Sequence, residues 1–139
     1  MTLRLDIASA EEEMFRGDVE MVFVTGELGE LGIAPGHSPL LTSLKAGNVR
    51  ALLPDNREEI FYVKSGMLEV QPFIVTVLAD TVLRASDIDE LAAVEAKERA
   101  EKRLVDSQIS EFDFAKATAE LAEAIAQIQT IRRLKKRAK

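Results

Sequence analysis

The chain has 139 residues, a formal net charge of −6 and 47% hydrophobic residues. This size fits one domain, or a small domain with an appendage, and the hydrophobic share favours a packed core over a disordered chain. The absence of cysteine excludes disulfides, thiolate metal sites and cysteine nucleophiles. The start lacks the apolar stretch of a signal peptide, and no apolar run approaches the roughly 18 residues that cross a bilayer. We expect an intracellular, soluble protein that can still bind a membrane complex.

Up to about Ala85, the sequence predicts an antiparallel β-sandwich or flattened barrel. Short apolar runs, such as Ile60–Val63 and Met67–Val70, are separated by glycine- and proline-containing breaks. Many short strands at this spacing are typical of all-β architectures. Because no helical stretch separates the runs, a parallel sheet is not expected.

The most informative stretch is GELGIAPGHSPLL at residues 29–41. Its three glycines and two prolines exclude a helix and indicate a shaped connection between strands. It carries Glu30 and His37, the single histidine of the chain. A loop of this kind often presents side chains to a partner, and a plain turn-rich link is the alternative.

From Ile88 to the end, the chain contains no glycine or proline and is rich in alanine, which predicts helices. Ser86 and Asp87 compete as N-caps of a first helix over Ile88–Val105. A polar interruption follows at residues 106–108. Ser110 then repeats the capping pattern with Asp113 and opens a second helix, so the two helices pack as an antiparallel hairpin.

The predicted contact surface of this hairpin is dominated by alanine. It consists of Ala93, Val94, Ala96, Ala100 and Leu104 on the first helix and Phe114, Ala117, Leu121, Ile125 and Ile128 on the second. Buried apolar area stabilises a contact by about 25 cal/mol per Å2, and alanine buries little of it. The hairpin is therefore expected to be weakly held and able to detach and extend while staying helical. A rigid hairpin with a small-residue seam is the alternative.

The C-terminal segment 124–139 is strongly basic within an acidic chain. It contains no acidic residue and six basic ones, namely Arg132, Arg133, Lys135, Lys136, Arg137 and Lys139. Cations near a helix C-terminus are ordinary, but six exceed what the helix dipole explains. The acidic remainder and the lack of an aromatic platform disfavour nucleic acid, so we expect an acidic protein surface as partner.

Motifs of catalysis are lacking. There is no GxSxG, no phosphate-binding GxxxxGK[ST] loop and no cysteine–histidine metal pattern. A single histidine with scattered acidic residues makes a poor metal site. We expect a protein that is not an enzyme and uses no cofactor or metal.

Three long motifs together resemble the epsilon subunit family of bacterial F-type ATP synthases. They are GELGIAPGHSPLL (29–41), GMLEVQPFIVTVLADTVLR (66–84) and EAKERAEKRL (95–104), in an order and spacing that cover essentially the whole chain. The resemblance implies an α+β fold with two domains. Residues 1–85 form a sandwich that docks on the gamma subunit and the c-ring, and residues 86–139 form a regulatory helical hairpin.

The resemblance implies a non-catalytic central-stalk (rotor) subunit that helps couple proton-driven rotation to ATP synthesis. Glu30 and Leu31 would contact the ring of c subunits, and His37 would lie near gamma. The protein would sit peripherally at the cytoplasmic face of the bacterial inner membrane, within the complex and without inserting into the bilayer.

The hairpin is implied to fold against the sandwich, or to extend along gamma into the alpha/beta catalytic head and inhibit ATP hydrolysis. Ser107 would face the beta subunit, and the basic residues Arg132, Arg133, Lys135 and Lys136 would meet its acidic lever. Two alternatives stay open: an unrelated adaptor or chaperone with the same plan, and a small enzyme that uses Glu30 and His37 as an acid–base pair.

The chain departs from the family pattern at its nucleotide motif. Some members bind ATP through I/L-D-x-x-R-A, and here Ile88 and Asp89 are followed by Ala92 where arginine should stand. Arg99 remains, but the second helix has no arginine before Arg132, so charge-assisted phosphate donors are missing. Weak or absent ATP binding is expected.

Two further departures lie in the sandwich. Lys64-Ser65-Gly66 replaces a common Ser-Gly-Gly, which reduces backbone freedom at that point. Phe73 follows Pro72 where the family usually has a polar turn. We expect Phe73 to tuck into the sandwich, with a contact to a neighbouring subunit as the alternative.

Overall fold

The computed structural model describes residues 1–138, with side chains through Lys136. The chain separates into two compact units that divide between Arg84 and Ala85. The first unit contains the strands and the second contains the helices.

Seven strands in the first unit form one sheet in the order β2-β1-β7-β6-β5-β3-β4. Their bounds are β1 Leu3–Ser9, β2 Glu13–Val19, β3 Met21–Gly26, β4 Gly29–Ile33, β5 Leu40–Leu52, β6 Glu58–Val70 and β7 Ile74–Arg84. All neighbours are antiparallel except β1 and β7, which are parallel. The sheet is thus predominantly antiparallel, as predicted, and the one parallel pair is possible because β2 to β6 supply the crossover that a helix usually makes.

The sheet folds over into two layers around one core. A single buried cluster contains residues from all seven strands, and one sheet can enclose one core only by closing on itself. β1 pairs with the first half of β7, and β3 pairs mainly with the second half of β5. We call the part of the sheet around β1 the β1 layer; it contains β2, β1, the first halves of β5 and β7 and the second half of β6. The β3 layer contains β4, β3, the second halves of β5 and β7 and the first half of β6. The predicted sandwich is confirmed.

The long strands change their core-facing side at one level of the sheet. Residues two apart in a strand face the same side, yet the buried positions switch between odd and even numbers here. The buried core residues on either side of this level are Leu44 and Val49 in β5, Val63 and Leu68 in β6, and Ala79 and Val82 in β7. The switch lets each long strand serve both layers.

The switch in β6 lies at Ser65 and Gly66. Ser65 has φ +48°, a left-handed conformation that is uncommon outside glycine. A Cβ at position 66 would lie 2.8 Å from the Ala79 Cα and would overlap the Leu78 carbonyl oxygen, so only glycine fits. Sequence reasoning placed a break between two strands here. The structure instead has one continuous strand with a local distortion, because the pairing with β5 and β7 resumes in the same register.

The second unit begins with one 3-10 turn over Ala85–Asp87, followed by α1 over Glu90–Leu104. The N-cap of α1 is Asp89, whose carboxylate accepts the Ala92 N–H at 3.1 Å. The expected caps Ser86 and Asp87 were wrong, because the 3-10 turn uses these residues before the helix starts.

The second helix, α2, spans Glu111–Ala138. Its predicted cap is confirmed, since the Ser110 hydroxyl oxygen accepts the Asp113 N–H at 3.1 Å. The two helices contact each other as an antiparallel pair joined by the short connection 105–110.

The seam between the helices is rich in alanine, as predicted. Ala93 and Ala100 on α1 and Ala117 and Ala124 on α2 are buried and spaced seven apart, so each pair lies on one helix face. Phe114 was expected in this seam but is 50% exposed. Sequence reasoning also missed burial in α2 at Ala124, Ala126, Thr130 and Ile131.

Candidate docking surfaces

Glu30 lies on strand β4, at the edge of the β3 layer, where a pair of glycines shapes the chain. The residues expected to form one long connection (29–41) divide between β4, a linker at 34–39 and the start of β5. Gly26 and Gly29 pair across the tight β3–β4 hairpin. Leu28 at its tip is fully exposed, a feature that sequence reasoning missed.

The Glu30 carboxylate is held by an arginine from another strand. Arg50 Nη2 lies 3.2 Å from Glu30 Oε1, and Arg50 Nη1 lies 3.9 Å from Glu58 Oε1. The guanidinium lies over the Phe23 ring, 4.5 Å from its centroid. Leu31, the neighbouring candidate, is half-buried and packs against the core, so Glu30 is the side chain that β4 presents outward.

His37 lies in the linker between β4 and β5. Its N–H donates to the Ala34 carbonyl at 3.2 Å, and Gly36 has φ +87°. Proline at the second position and a positive φ at the third are the signature of a type II turn. His37 is half-buried, and its ring Nδ1 lies 2.7 Å from the Ser38 carbonyl oxygen. Glu30 accepts from Arg50, and within residues 1–138 no hydrogen bond joins Glu30 to His37, so these two side chains do not form a hydrogen-bonded acid–base pair.

The linker is tied to the turn between β6 and β7. The Gly36 N–H donates to the Pro72 carbonyl at 2.6 Å. Phe73 in this turn is 51% exposed, so the expectation that it tucks into the sandwich was wrong. Its backbone carbonyl accepts the Arg4 N–H at 2.8 Å, and this bond holds the turn against β1.

Phe73 adjoins an apolar surface that sequence reasoning missed. Four large side chains project from the outer side of the β1 layer while their neighbours in each strand face the core. This outer apolar face consists of Leu41, Met67, Ile74 and Leu78, which are between 41% and 65% exposed. Apolar residues on both sides of a strand, as at Met67-Leu68, are the signal that could have revealed it.

The basic residues of α2 divide into two groups. Arg132, Arg133 and Lys136 are exposed, and with Gln129 they line one shallow depression. Lys135 is bound instead to Glu90 at the start of α1, with Nζ 2.8 Å from Oε2. The predicted contributions of the Arg137 side chain and of Lys139 lie outside the described residues.

The connection between the helices carries Ser107, which is exposed. The Asp106 carboxylate next to it accepts the Gln108 N–H at 2.9 Å, and this turn fixes the backbone at the tip. On the flank of the tip, Arg103 lies 3.5 Å from Glu120 and 3.7 Å from Asp113. Ion pairs therefore join the helices both near the tip and at the opposite end.

The residues that correspond to the family's nucleotide motif do not converge on one site. Asp89 is used as a helix cap, and Ile88 precedes the helix with its N–H directed at the Ala85 carbonyl. Arg99 is exposed about 15 Å further along α1, from the rise of 1.5 Å per residue. Within residues 1–138, no group of three acidic or histidine side chains is arranged to hold a metal ion. Neither described helix combines the length and hydropathy needed to span a membrane.

Both units match domain models of one known family. The beta-sandwich domain model of the ATP synthase Delta/Epsilon chain matches residues 2–85, and the long alpha-helix domain model matches residues 86–132. An ATP synthase epsilon chain from Nitrosococcus oceani is 56% identical over 137 residues, which cover 99% of this chain and 97% of that one.

Two solved structures share the fold at low sequence identity. A chain of the Euglena gracilis mitochondrial ATP synthase has a TM-score of 0.82 at 16% identity, covering 90% of this chain and 78% of that one. A chain of the Tetrahymena thermophila mitochondrial ATP synthase central stalk and c-ring has a TM-score of 0.67 at 12% identity, covering 94% and 97%. The two domain models and the close relative show that this chain belongs to the ATP synthase Delta/Epsilon chain family.

Proposed function

We propose that this chain is a non-catalytic rotor subunit of an F-type ATP synthase, which couples proton-driven rotation to ATP synthesis and restrains ATP hydrolysis. The observation that carries the proposal is the 56% identity to an ATP synthase epsilon chain over 99% of this chain. Such a subunit would act at the cytoplasmic face of the bacterial inner membrane, held by its partner subunits.

The sandwich, residues 1–85, is the proposed docking platform. The outer apolar face and the adjoining Phe73 form an exposed apolar surface of the kind that marks a protein interface. The linker with His37 is hydrogen-bonded to the same turn, which supports assigning this side to the gamma subunit. Glu30 lies on the outer side of the β3 layer, and we assign it with the adjacent Leu31 to the c-ring.

The helical hairpin, residues 86–139, is the proposed regulator. Its alanine seam and exposed ion pairs hold the helices together with little buried area, which suits an element that must separate and extend. Arg132, Arg133, Lys135 and Lys136 would then meet an acidic surface of the beta subunit, and Ser107 at the tip would face the same head. The chemistry of hydrolysis belongs to that head.

Deletion of residues 88–139 tests the inhibitory role. The sandwich has its own core, so the truncated chain is expected to assemble and keep coupling while ATP hydrolysis by the complex rises. The measurement compares ATP hydrolysis and ATP-driven proton pumping in complexes purified with the full or the truncated chain. Equal hydrolysis would overturn the inhibitory role, and failure of the full chain to co-purify with a rotary complex would favour the adaptor alternative.

ATP binding by the free chain is the second test. The cap role of Asp89 and the alanine at position 92 leave few donors for phosphate, so titration calorimetry should detect no binding at micromolar ATP. Micromolar affinity would show that nucleotide, rather than the partner head alone, controls the hairpin.

A further inference from the structure

Arg50 is unusually buried for an arginine on the outer side of a sheet. It projects from β5 on the outer side of the β3 layer, yet its side chain is only 18% exposed. Its Nε is buried and has no hydrogen-bond partner among the described residues. A buried guanidinium is costly unless its charge is used, so the neighbouring groups explain its placement.

The side chain reaches across one strand to hold Glu30 on the next. In the sheet order β5-β3-β4, Arg50 is the direct neighbour of Phe23, and Phe23 is the direct neighbour of Gly32. The guanidinium lies over the Phe23 ring, with its Cζ 4.5 Å from the ring centroid, and this cation–π contact lies on the way to β4. It ends 3.2 Å from Glu30 Oε1.

Glu58 completes the arrangement from the opposite side. It lies 3.9 Å from Arg50 Nη1, and its side chain is 25% exposed, against 51% for Glu30. One arginine thus faces two carboxylates, and the cluster keeps a formal charge of −1. The more exposed of the two carboxylates, Glu30, is the one available to an incoming donor.

We propose that Arg50 is the positioning residue for Glu30, fixing its carboxylate on the edge strand before the partner arrives. The proposal rests on the proposed function, because it assumes that Glu30 contacts the ring. A free glutamate side chain loses rotamer entropy when it is ordered, so ordering it in advance strengthens docking. The partner would be a polar or basic segment with a hydrogen-bond donor for the remaining negative charge.

A double-mutant cycle on the full chain tests this inference. The variants are Glu30→Gln, Arg50→Gln and the pair, and the matched control is Arg57→Gln, an exposed arginine paired with Asp55 at the β5–β6 turn. Binding to ATP synthase complex purified without this chain gives the affinity. Photocrosslinking to the ring from position 28, the fully exposed tip of the β3–β4 hairpin, gives the docking geometry.

Each single change at Glu30 or Arg50 should weaken binding and lower the crosslink yield, with about tenfold loss expected for a charge-assisted contact. The pair should be no worse than Glu30→Gln alone, and Arg57→Gln should bind as wild type. If Arg50→Gln weakens binding equally with and without Glu30, its effect is only structural and the inference fails. If Glu30→Gln binds and crosslinks as wild type, the proposed contact between Glu30 and the c-ring is wrong.

A conservative variant and a measurement on the free chain keep the inference testable if Arg50→Gln folds poorly. Arg50→Lys keeps the charge but not the two-pronged geometry, and it should give an intermediate loss of binding. Side-chain couplings from NMR should show one dominant Glu30 rotamer in the wild type and rotamer averaging in Arg50→Lys. An unchanged Glu30 rotamer distribution would overturn the positioning role.

Discussion

The two units of this protein are built on opposite packing strategies. The sandwich core uses large side chains with almost no exposure, among them Leu5, Ile7 and Phe61, while the hairpin seam uses alanine. A fully buried leucine or phenylalanine contributes about 1.5–3 kcal/mol, and a single methyl contributes about 0.8 kcal/mol. The sandwich is therefore suited to transmit force without changing shape, and the hairpin to change its packing at low cost.

Spectroscopic probes separate these two units within one sample. Tyr62 is the single tyrosine, lies on β6, and the chain has no tryptophan, so tyrosine fluorescence reports on the sandwich. The ellipticity at 222 nm is dominated by α1 and α2. Mutations can thus be sorted by which of the two signals they shift.

The largest effect is expected for Gly66→Ala. The added methyl would overlap the Leu78 carbonyl and contact the Ala79 backbone, so β7 must move away, at a cost of about 3 kcal/mol. Tyrosine fluorescence in urea should show a large loss of stability in the sandwich. Gly17→Ala is the matched control, since its nearest neighbour is the Phe15 ring at an ordinary 3.5 Å.

This prediction separates a rigid sandwich from a compliant one. If Gly66→Ala were no less stable than Gly17→Ala, the β6–β7 crossing would be free to relax. The contrast between a rigid sandwich and a hairpin that changes its packing at low cost would then be wrong.

An intermediate effect is expected for Ala117→Leu in the hairpin. Ala117 is fully buried, and a leucine there would push the helices apart at a cost of about 1–3 kcal/mol. Ala119→Leu on the exposed side of the same helix is the control. Thermal melts at 222 nm should show a lower midpoint for Ala117→Leu alone, while the tyrosine signal is unchanged.

The same pair of variants bears on regulation. A hairpin that separates more easily should extend more often, so complexes with Ala117→Leu are expected to hydrolyse ATP more slowly than those with Ala119→Leu. Equal rates would show that seam packing does not limit extension.

Local signals in the sequence predicted local structure well. Ser110 and Asp113 capped α2 as expected, because such a cap needs only four neighbouring residues. The resemblance likewise identified the fold and the family, since long motifs carry the whole architecture. Asp89 replaced the expected caps of α1 because the preceding 3-10 turn depends on packing as well as on the local sequence.

Features that join distant residues were not predictable from the pattern. The pair between Glu30 and Arg50 links two strands separated by a third, and nothing in either segment signals the other. Phe73 and Phe114 were placed in interiors because they are apolar, yet each is at least half exposed. An aromatic side chain left outside by its own fold indicates a surface for a partner, which a single chain's hydrophobic pattern cannot distinguish from a core position.

The smallest effect is expected at the ion pair that joins the ends of the two helices. Lys135 Nζ lies 2.8 and 3.0 Å from the two Glu90 carboxylate oxygens, and Lys136 next to it faces the shallow depression on α2. Exposed ion pairs contribute about 0.5 kcal/mol, so Lys135→Gln should lower the hairpin's melting midpoint slightly and Lys136→Gln should not.

High salt should abolish the difference between the two variants, because screening removes the pair in the wild type as well. A Lys135→Gln, Glu90→Gln double variant should melt no lower than the more affected of the two single variants, because either change alone already removes the pair. If the effects of the two single changes simply added, the two ends of the hairpin would be held by apolar packing alone, and the charges would serve only the partner.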